Sequence, residues 1–266
     1  MVERFGEALS GLGQPIRIVL IIRNLVDLAP SSYAQKIRYG LNTYDFDEFF
    51  KFMLAQDRFN PFQIVSHWGA TFGIDAIRVR VLEPAQLLNG DLIDDYLLTA
   101  GLDPDDPALR SLERQDRVNE SAGWRTLEAV RSLFCGASGL GQDHPLIRRV
   151  RNADSKHKNR LIGEAAEAVG ADFGWNGDRG RYLTRAQAQR LRDDYVAGLR
   201  KLNDALSEKL PTPRDLDERG FIERSELPDA KQIPKTDLRR FYDAVGERLL
   251  LSDQGLAEAR AAPAGA

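Results

Sequence analysis

Apolar residues recur along this chain with two different periods, and the switches between them mark its elements. Val2, Phe5, Leu9 and Leu12 share one face of a short N-terminal helix over residues 1–13, closed by Gly13 and Pro15. The run Ile16-Arg17-Ile18-Val19-Leu20-Ile21-Ile22 is almost unbroken and rich in β-branched side chains, which predicts a strand covered on both faces, as in a parallel sheet. Residues 76–82 instead alternate Ile77, Val79 and Val81 with Arg78 and Arg80, which predicts a half-covered strand nearer a sheet edge. Pro30-Ser31 opens a helix that runs to about Tyr39 and ends at Gly40. Phe46, Phe49, Phe50, Met53 and Leu54 form one helical face, with Asp45, Asp47 and Glu48 complementing its N-terminal dipole. A further helix starts near Asn60-Pro61, buries Phe62, Val65, Trp68 and Phe72, and stops at Gly73; another covers about 85–98, interrupted at Asn89-Gly90.

Beyond residue 100 the spacing is helical. Trp124, Leu127, Val130 and Phe134 define one segment, and Leu238, Phe241, Tyr242, Val245 and Leu249 another. Thr184 and Gln187 make a capping box ahead of a stripe of Leu191, Tyr195, Leu199, Leu202 and Leu206. Residues 211–235 read as a polar connection. Both strand candidates precede residue 85, so the chain is expected to be α/β with a helix-rich C-terminal half. The expected organisation is an α/β core over 1–135, a helical part over 136–255 packing on the same domain, and a flexible tail over 256–266.

Composition narrows the class. Of 266 residues, 42% are hydrophobic and 29% charged, which is ordinary for a globular chain and too apolar for a disordered one. No apolar run approaches the roughly 20 residues of a membrane span, and the N-terminus has no apolar signal region; a cytoplasmic protein is expected. The net charge of −3 argues against a surface that coats nucleic acid. The single cysteine, Cys135, excludes an internal disulfide and any multi-cysteine metal site, and reads as a small core hydrophobe. His67, His144 and His157 lack metal-ligand spacing, so no metal is expected.

The chemistry concentrates where the first strand runs out. Arg23 follows the apolar run, and eight residues later Ser31 stands at the expected helix start. Ligands of open α/β sheets bind at the carboxyl ends of strands. A helix N-terminus favours an anion, and a guanidinium adds charge-assisted bonds to a phosphate. The same residues also fit a plain capped helix with an Arg23–Asp27 ion pair, which spacing alone favours.

Arg23-Asn24-x-x-Asp27-x-x-x-Ser31-x-Tyr33 resembles the 3′-phosphate-binding motif of sulfotransferases that use 3′-phosphoadenosine 5′-phosphosulfate as donor. Leu25 stands where the family usually has proline. The similarity extends to a bacterial branch, through Ser32-Tyr33-Ala34-Gln35, Phe46-Asp47-Glu48-Phe49, the stretch from Trp68 to Val81, Gln86-Leu87, Gly90-Asp91-Leu92-Ile93, and Arg117, Asn119 and Ser121. The resemblance covers roughly the first half of the chain and is diffuse after residue 135.

It implies a P-loop-like three-layer sandwich with a parallel sheet. Arg23 and Ser31 would hold the 3′-phosphate of the donor, which acts as co-substrate without metal. Arg179 and Arg181 faintly echo a late basic glycine loop of the family. The implied activity is sulfuryl transfer to a hydroxyl of a carbohydrate or glycolipid acceptor. The alternative is a catalytically inactive homologue serving as a nucleotide-binding or interaction module.

The sequence departs from the family in larger respects as well. No Lys-Thr-Gly-Thr-Thr loop precedes residue 16; GLGQP at 11–15 and SGLGQDHP at 138–145 are only glycine-rich. The family's general base is likewise not found. The fold is therefore expected to be N-terminally incomplete, with the flank of strand 16–22 open to a second copy or a complementing chain. The basic stretch from Arg148 to Arg160 reads as a solvated helix face, and Asp94-Asp95 as part of a loop-rich acidic patch.

Overall fold

The computed structural model describes residues 2–11, 13–56, 60–110, 122–151, 156–176, 182–206, 210 and 228–261. Its elements in chain order are α1 (Val2–Ser10), β1 (Ile18–Arg23), α2 (Leu25–Arg38), α3 (Phe46–Ala55), α4 (Pro61–Phe72), β2 (Ile77–Leu82), α5 (Leu92–Ala100), α6 (Pro107–Arg110), α7 (Trp124–Phe134), α8 (Pro145–Arg151), α9 (Lys156–Asp172), α10 (Arg185–Ala205) and α11 (Lys235–Ala261). This is a helix-rich α/β chain.

It divides into two compact units. The first takes Met1–Ala29, Phe50–Val118 and Leu183–Gly220; the second takes Pro30–Phe49, Asn119–Tyr182 and Phe221–Ala266. Residue 135 falls inside a continuous stretch of the second unit.

The first unit holds the sheet. β1 and β2 pair in parallel, with Ile18 opposite Ile77 and Arg23 opposite Leu82. β2 alternates as its sequence demands: Ile77, Val79 and Val81 are buried while Arg78 is exposed. β1 does not match its expected double cover. Only Ile22 is buried, and Ile21 is 40% exposed. α4 and α5 each touch both strands but leave part of β1 open.

Asn60 caps α4, its Oδ1 accepting the Phe62 N–H at 3.0 Å, and Pro61 occupies the first helical position. α10 packs on α4, and Gly198 allows the approach: a Cβ there would stand 2.8 Å from the Pro61 ring. The Thr184–Gln187 capping box forms as the sequence predicts, each side chain accepting the other's backbone N–H.

α5 has its faces reversed. Asp94 and Asp95 are buried, whereas Leu92, Ile93, Tyr96 and Leu98 are exposed. Asp91 caps the helix, accepting the N–H groups of Ile93 and Asp94. The expected helix over 85–98 is two 3₁₀ turns followed by α5, because Asn89 adopts a left-handed conformation (φ 56°) that breaks a continuous helix.

The second unit is built around α7. Thr126 through Val130, Ser132 and Leu133 are all buried, so this helix has almost no solvent face. α9 and a 3₁₀ turn at Ala230–Gln232 pack against it, and α11 packs on α8 and α9. Gly123 caps α7 where the backbone of Trp175 crosses; a Cβ there would overlap the Trp175 carbonyl oxygen. Tyr33, Phe46 and Tyr182 form an aromatic cluster with ring centroids 5.0–5.4 Å apart, and Trp175 stacks on Phe241 at 4.8 Å. The Tyr242 hydroxyl donates to the Ala129 carbonyl at 2.9 Å, tying α11 to α7.

α2 begins earlier than its proline suggests. Asn24 is buried and supplies the cap: its Oδ1 accepts the Val26 N–H at 3.1 Å and its carbonyl the Leu28 N–H at 2.9 Å. Leu25, Val26 and Ala29 are buried, so packing anchors a first turn ahead of Pro30, which lies inside the helix. α11 likewise carries helical backbone through Ala261, past the expected start of the tail at residue 256.

Candidate functional site

The strand end that the sequence singles out is present as a strand end. Arg23 is the last residue of β1, exposed at its carboxyl edge, and the capped first turn of α2 follows at once. Ser31 is placed differently from the expectation. It is half-buried in the second turn of α2 rather than at the helix start, beyond the residues whose N–H groups lack intrahelical acceptors. The cause is the earlier start at Leu25. Arg179 and Arg181, like Arg117, Asn119 and Ser121, lie outside the described residues.

Near the sheet, the acidic pair is not a loop patch. Asp95 reaches back from α5 to Arg80 of β2, which donates from Nε to Oδ2 at 3.0 Å and from Nη2 to Oδ1 at 2.5 Å. The Leu88 N–H adds a 3.3 Å bond to the same carboxylate. The Arg80 hydrogen bonds hold the Asp95 carboxyl below the usual aspartate range against the cost of burial. Asp94 accepts from Asn89 Nδ2 at 3.2 Å. Because Arg80 alternates with Val79 and Val81, α5 sits on the sheet face opposite those valines.

The second unit contains a cleft of about 1100 Å³. One lining residue, Arg131, belongs to a charged pair that the apolar spacing of α7 did not reveal. Glu128, 1% exposed in its side chain, accepts from Arg131 Nε at 2.8 Å and from the Tyr33 hydroxyl at 3.3 Å. Burial pushes the Glu128 carboxyl above the ordinary glutamate value, and Arg131 offsets part of that rise. Burial beside Glu128 also raises the Tyr33 hydroxyl. The Tyr182 hydroxyl, in the same aromatic cluster, is buried without a hydrogen-bond partner among the described residues.

Arg131 lines the cleft. One turn later on the same side of α7 stands Cys135, which is exposed at the cleft wall and not a core residue, because the helix ends there and Gly136 turns the chain away. Ser138, Gly139 and Leu140 continue the wall, so part of the glycine-rich segment after α7 lines the cleft. The opposite wall brings Asp229, Lys231, Ile233, Lys235 and Leu238. The stripe Glu128, Arg131 and Cys135 was the available signal: three polar or reactive residues at spacings of three and four on a helix otherwise read for its apolar face.

His144 is nearly buried and shares a 3.0 Å contact with Asp243 of α11, holding that carboxyl low. In the basic stretch, Arg148 pairs with Asp143 at 2.9 Å and Arg160 with Glu164 at 2.7 Å. Among the described residues no three His, Cys, Asp or Glu side chains converge as a metal site requires. No described helix is long and apolar enough to cross a membrane. No protein-family model, no curated protein and no solved structure matches this chain.

Proposed function

We propose that this chain is a sulfotransferase-like protein with a P-loop-like, three-layer α/β core. It binds the 3′-phosphate end of 3′-phosphoadenosine 5′-phosphosulfate beside Arg23, with Ser31 as the second residue the resemblance brings to that role. The observation that supports it is local: Arg23 ends a strand of a parallel pair, and the capped N-terminus of α2 begins two residues later. A strand end that places a guanidinium beside the positive end of a helix dipole suits a phosphate.

In the enzymatic reading, an acceptor hydroxyl of a carbohydrate or glycolipid attacks the sulfur of the donor. The bond to the bridging oxygen breaks, adenosine 3′,5′-bisphosphate leaves, and the hydroxyl proton passes to water. One sequence observation favours the second reading, a nucleotide-binding module without transfer: no Lys-Thr-Gly-Thr-Thr segment occurs in the 266 residues. Such a loop supplies the backbone N–H groups and lysine that stabilise charge on a transferring group.

Calorimetry with adenosine 3′,5′-bisphosphate tests the shared premise. Saturable binding that weakens roughly 10–100-fold in Arg23→Ala is expected, the loss of a charge-assisted hydrogen bond. Absence of binding at millimolar ligand overturns both readings. Transfer of labelled sulfate to a carbohydrate then separates enzyme from module.

The same proposal includes a partner along β1, either a second copy or a complementing chain. Among the described residues β2 is the only strand beside β1, and Ile21 is left exposed. A concentration-independent monomer in solution scattering would remove this part.

A further inference from the structure

We infer that the cleft of the second unit is a binding site for a small organic anion, with Arg131 receiving the anionic head and an apolar wall receiving the body. Arg131 spends its Nε on Glu128, and no other side-chain partner is found for it among the described residues. Arg131 itself lines the cleft. Buried Glu128, itself fixed by the Tyr33 hydroxyl, holds the guanidinium in one orientation. An arginine fixed at the back of a cleft is pre-organised for a planar carboxylate or a phosphate.

The walls carry charge of both signs, with Lys231, Lys235 and Arg239 beside three aspartates. Lys231 and Lys235 line the cleft, and neither ammonium has an ion-pair partner among the described residues. Of the three lining acids, Asp45, Asp47 and Asp229, two accept backbone N–H groups while keeping their charge. Asp45 accepts the Glu48 N–H at 2.8 Å, and Asp229 accepts the Lys231 N–H at 2.8 Å. Phe46, Leu140, Ile233 and Leu238 supply apolar surface. The volume of about 1100 Å³ is at the upper end of small-molecule sites, far larger than an inorganic ion needs. The site lies entirely within one unit and does not depend on the reading at Arg23.

Cys135 makes the site directly measurable, because it is the one cysteine in the sequence and stands in the cleft wall. The probe is anilinonaphthalene sulfonate, an anion with an apolar aromatic body, added to the full chain while iodoacetamide alkylates Cys135. Saturating probe is expected to slow alkylation several-fold and to bind with one-to-one stoichiometry. The Lys231→Gln/Lys235→Gln variant is expected to weaken that binding about tenfold, as loss of local positive potential does, with its circular dichroism unchanged. Arg131→Lys, which keeps a cation beside Glu128, is expected to weaken it as well.

Probe fluorescence without protection of Cys135 would place the dye elsewhere, for instance on the exposed apolar face of α5, and overturn the inference. So would unaltered affinity in the double lysine variant. Arg23→Ala leaves Cys135 protection unchanged, so failure here and failure of the nucleotide reading are distinguishable.

Discussion

Arg80 of β2 and Asp95 of α5 meet through two parallel hydrogen bonds, and they fasten the helix to the sheet with the charges of a chain segment that looks like surface. Asp95 is nearly fully buried in this pair, while Arg80 remains one-third exposed. The partly solvated guanidinium limits the desolvation cost, and the Leu88 N–H satisfies a further lone pair of the carboxylate.

Asp95→Ala is expected to cost about 1–3 kcal/mol in urea unfolding, because it removes the acceptor of the Arg80 and Leu88 hydrogen bonds. Since Arg80 lowers the folded-state value of Asp95, the pair's contribution is complete above the ordinary aspartate range near 4 and fades as pH falls through the lower folded value. Unfolding at a series of pH values should show an acid-side loss that Asp95→Asn lacks.

Glu128 has the opposite sign. Burial raises its folded value above the unfolded one, so its contribution is complete below about pH 4.3 and is lost as pH rises through the folded value. Glu128→Gln keeps an acceptor oxygen for the Arg131 Nε–H and turns an amide N–H toward the Tyr33 oxygen, but removes that titration. Between pH 4 and pH 7 the variant's stability should fall less than the parent's, as read from chemical denaturation at the two values.

The two kinds of glycine in the second unit should respond in opposite directions. Gly123→Ala forces a Cβ into the Trp175 backbone and is expected to cost 1 to about 3 kcal/mol or more. Gly246 lies inside α11 with open space where a Cβ would go, so Gly246→Ala should stabilise by roughly 0.5–1 kcal/mol. Thermal unfolding of both variants gives the comparison.

Asn24→Ala should cost about 1 kcal/mol through the lost cap of α2, and Asn24→Asp less, since an aspartate keeps the acceptor. Equal losses in both variants would mean that the buried amide matters for contacts other than the cap.

Much of the fold was legible because it depends on local spacing. The two strands, their parallel pairing class, the Thr184–Gln187 box and the apolar face of Phe46, Phe49, Phe50 and Met53 all follow from period and cap chemistry. What was not legible depends on long-range partners. Nothing near Asp95 in sequence announces Arg80, fifteen residues back on a strand. Glu128 and Arg131 look like ordinary surface charges on an amphipathic helix until α9, α11 and the 3₁₀ turn at Ala230–Gln232 enclose α7. Pro30 misled the start of α2 because proline usually marks the first helical position, and here buried Leu25 and Val26 outweighed it. Of the candidate site, Arg23 was readable as a strand end; the cleft was not, since its walls come from segments a hundred residues apart.

Each unit being stitched from three separate stretches has a kinetic consequence. α4 cannot bury its contact face until α10 has been made, and Ile18 must wait for Ile77 before β1 has any strand neighbour among the described residues. At about 5–20 residues per second, the interval between the end of α4 and α10 on the ribosome is on the order of ten seconds. During that time the nascent chain carries an unpaired apolar strand and a half-covered helix. The first unit is therefore completed only after α10 has emerged, late in synthesis.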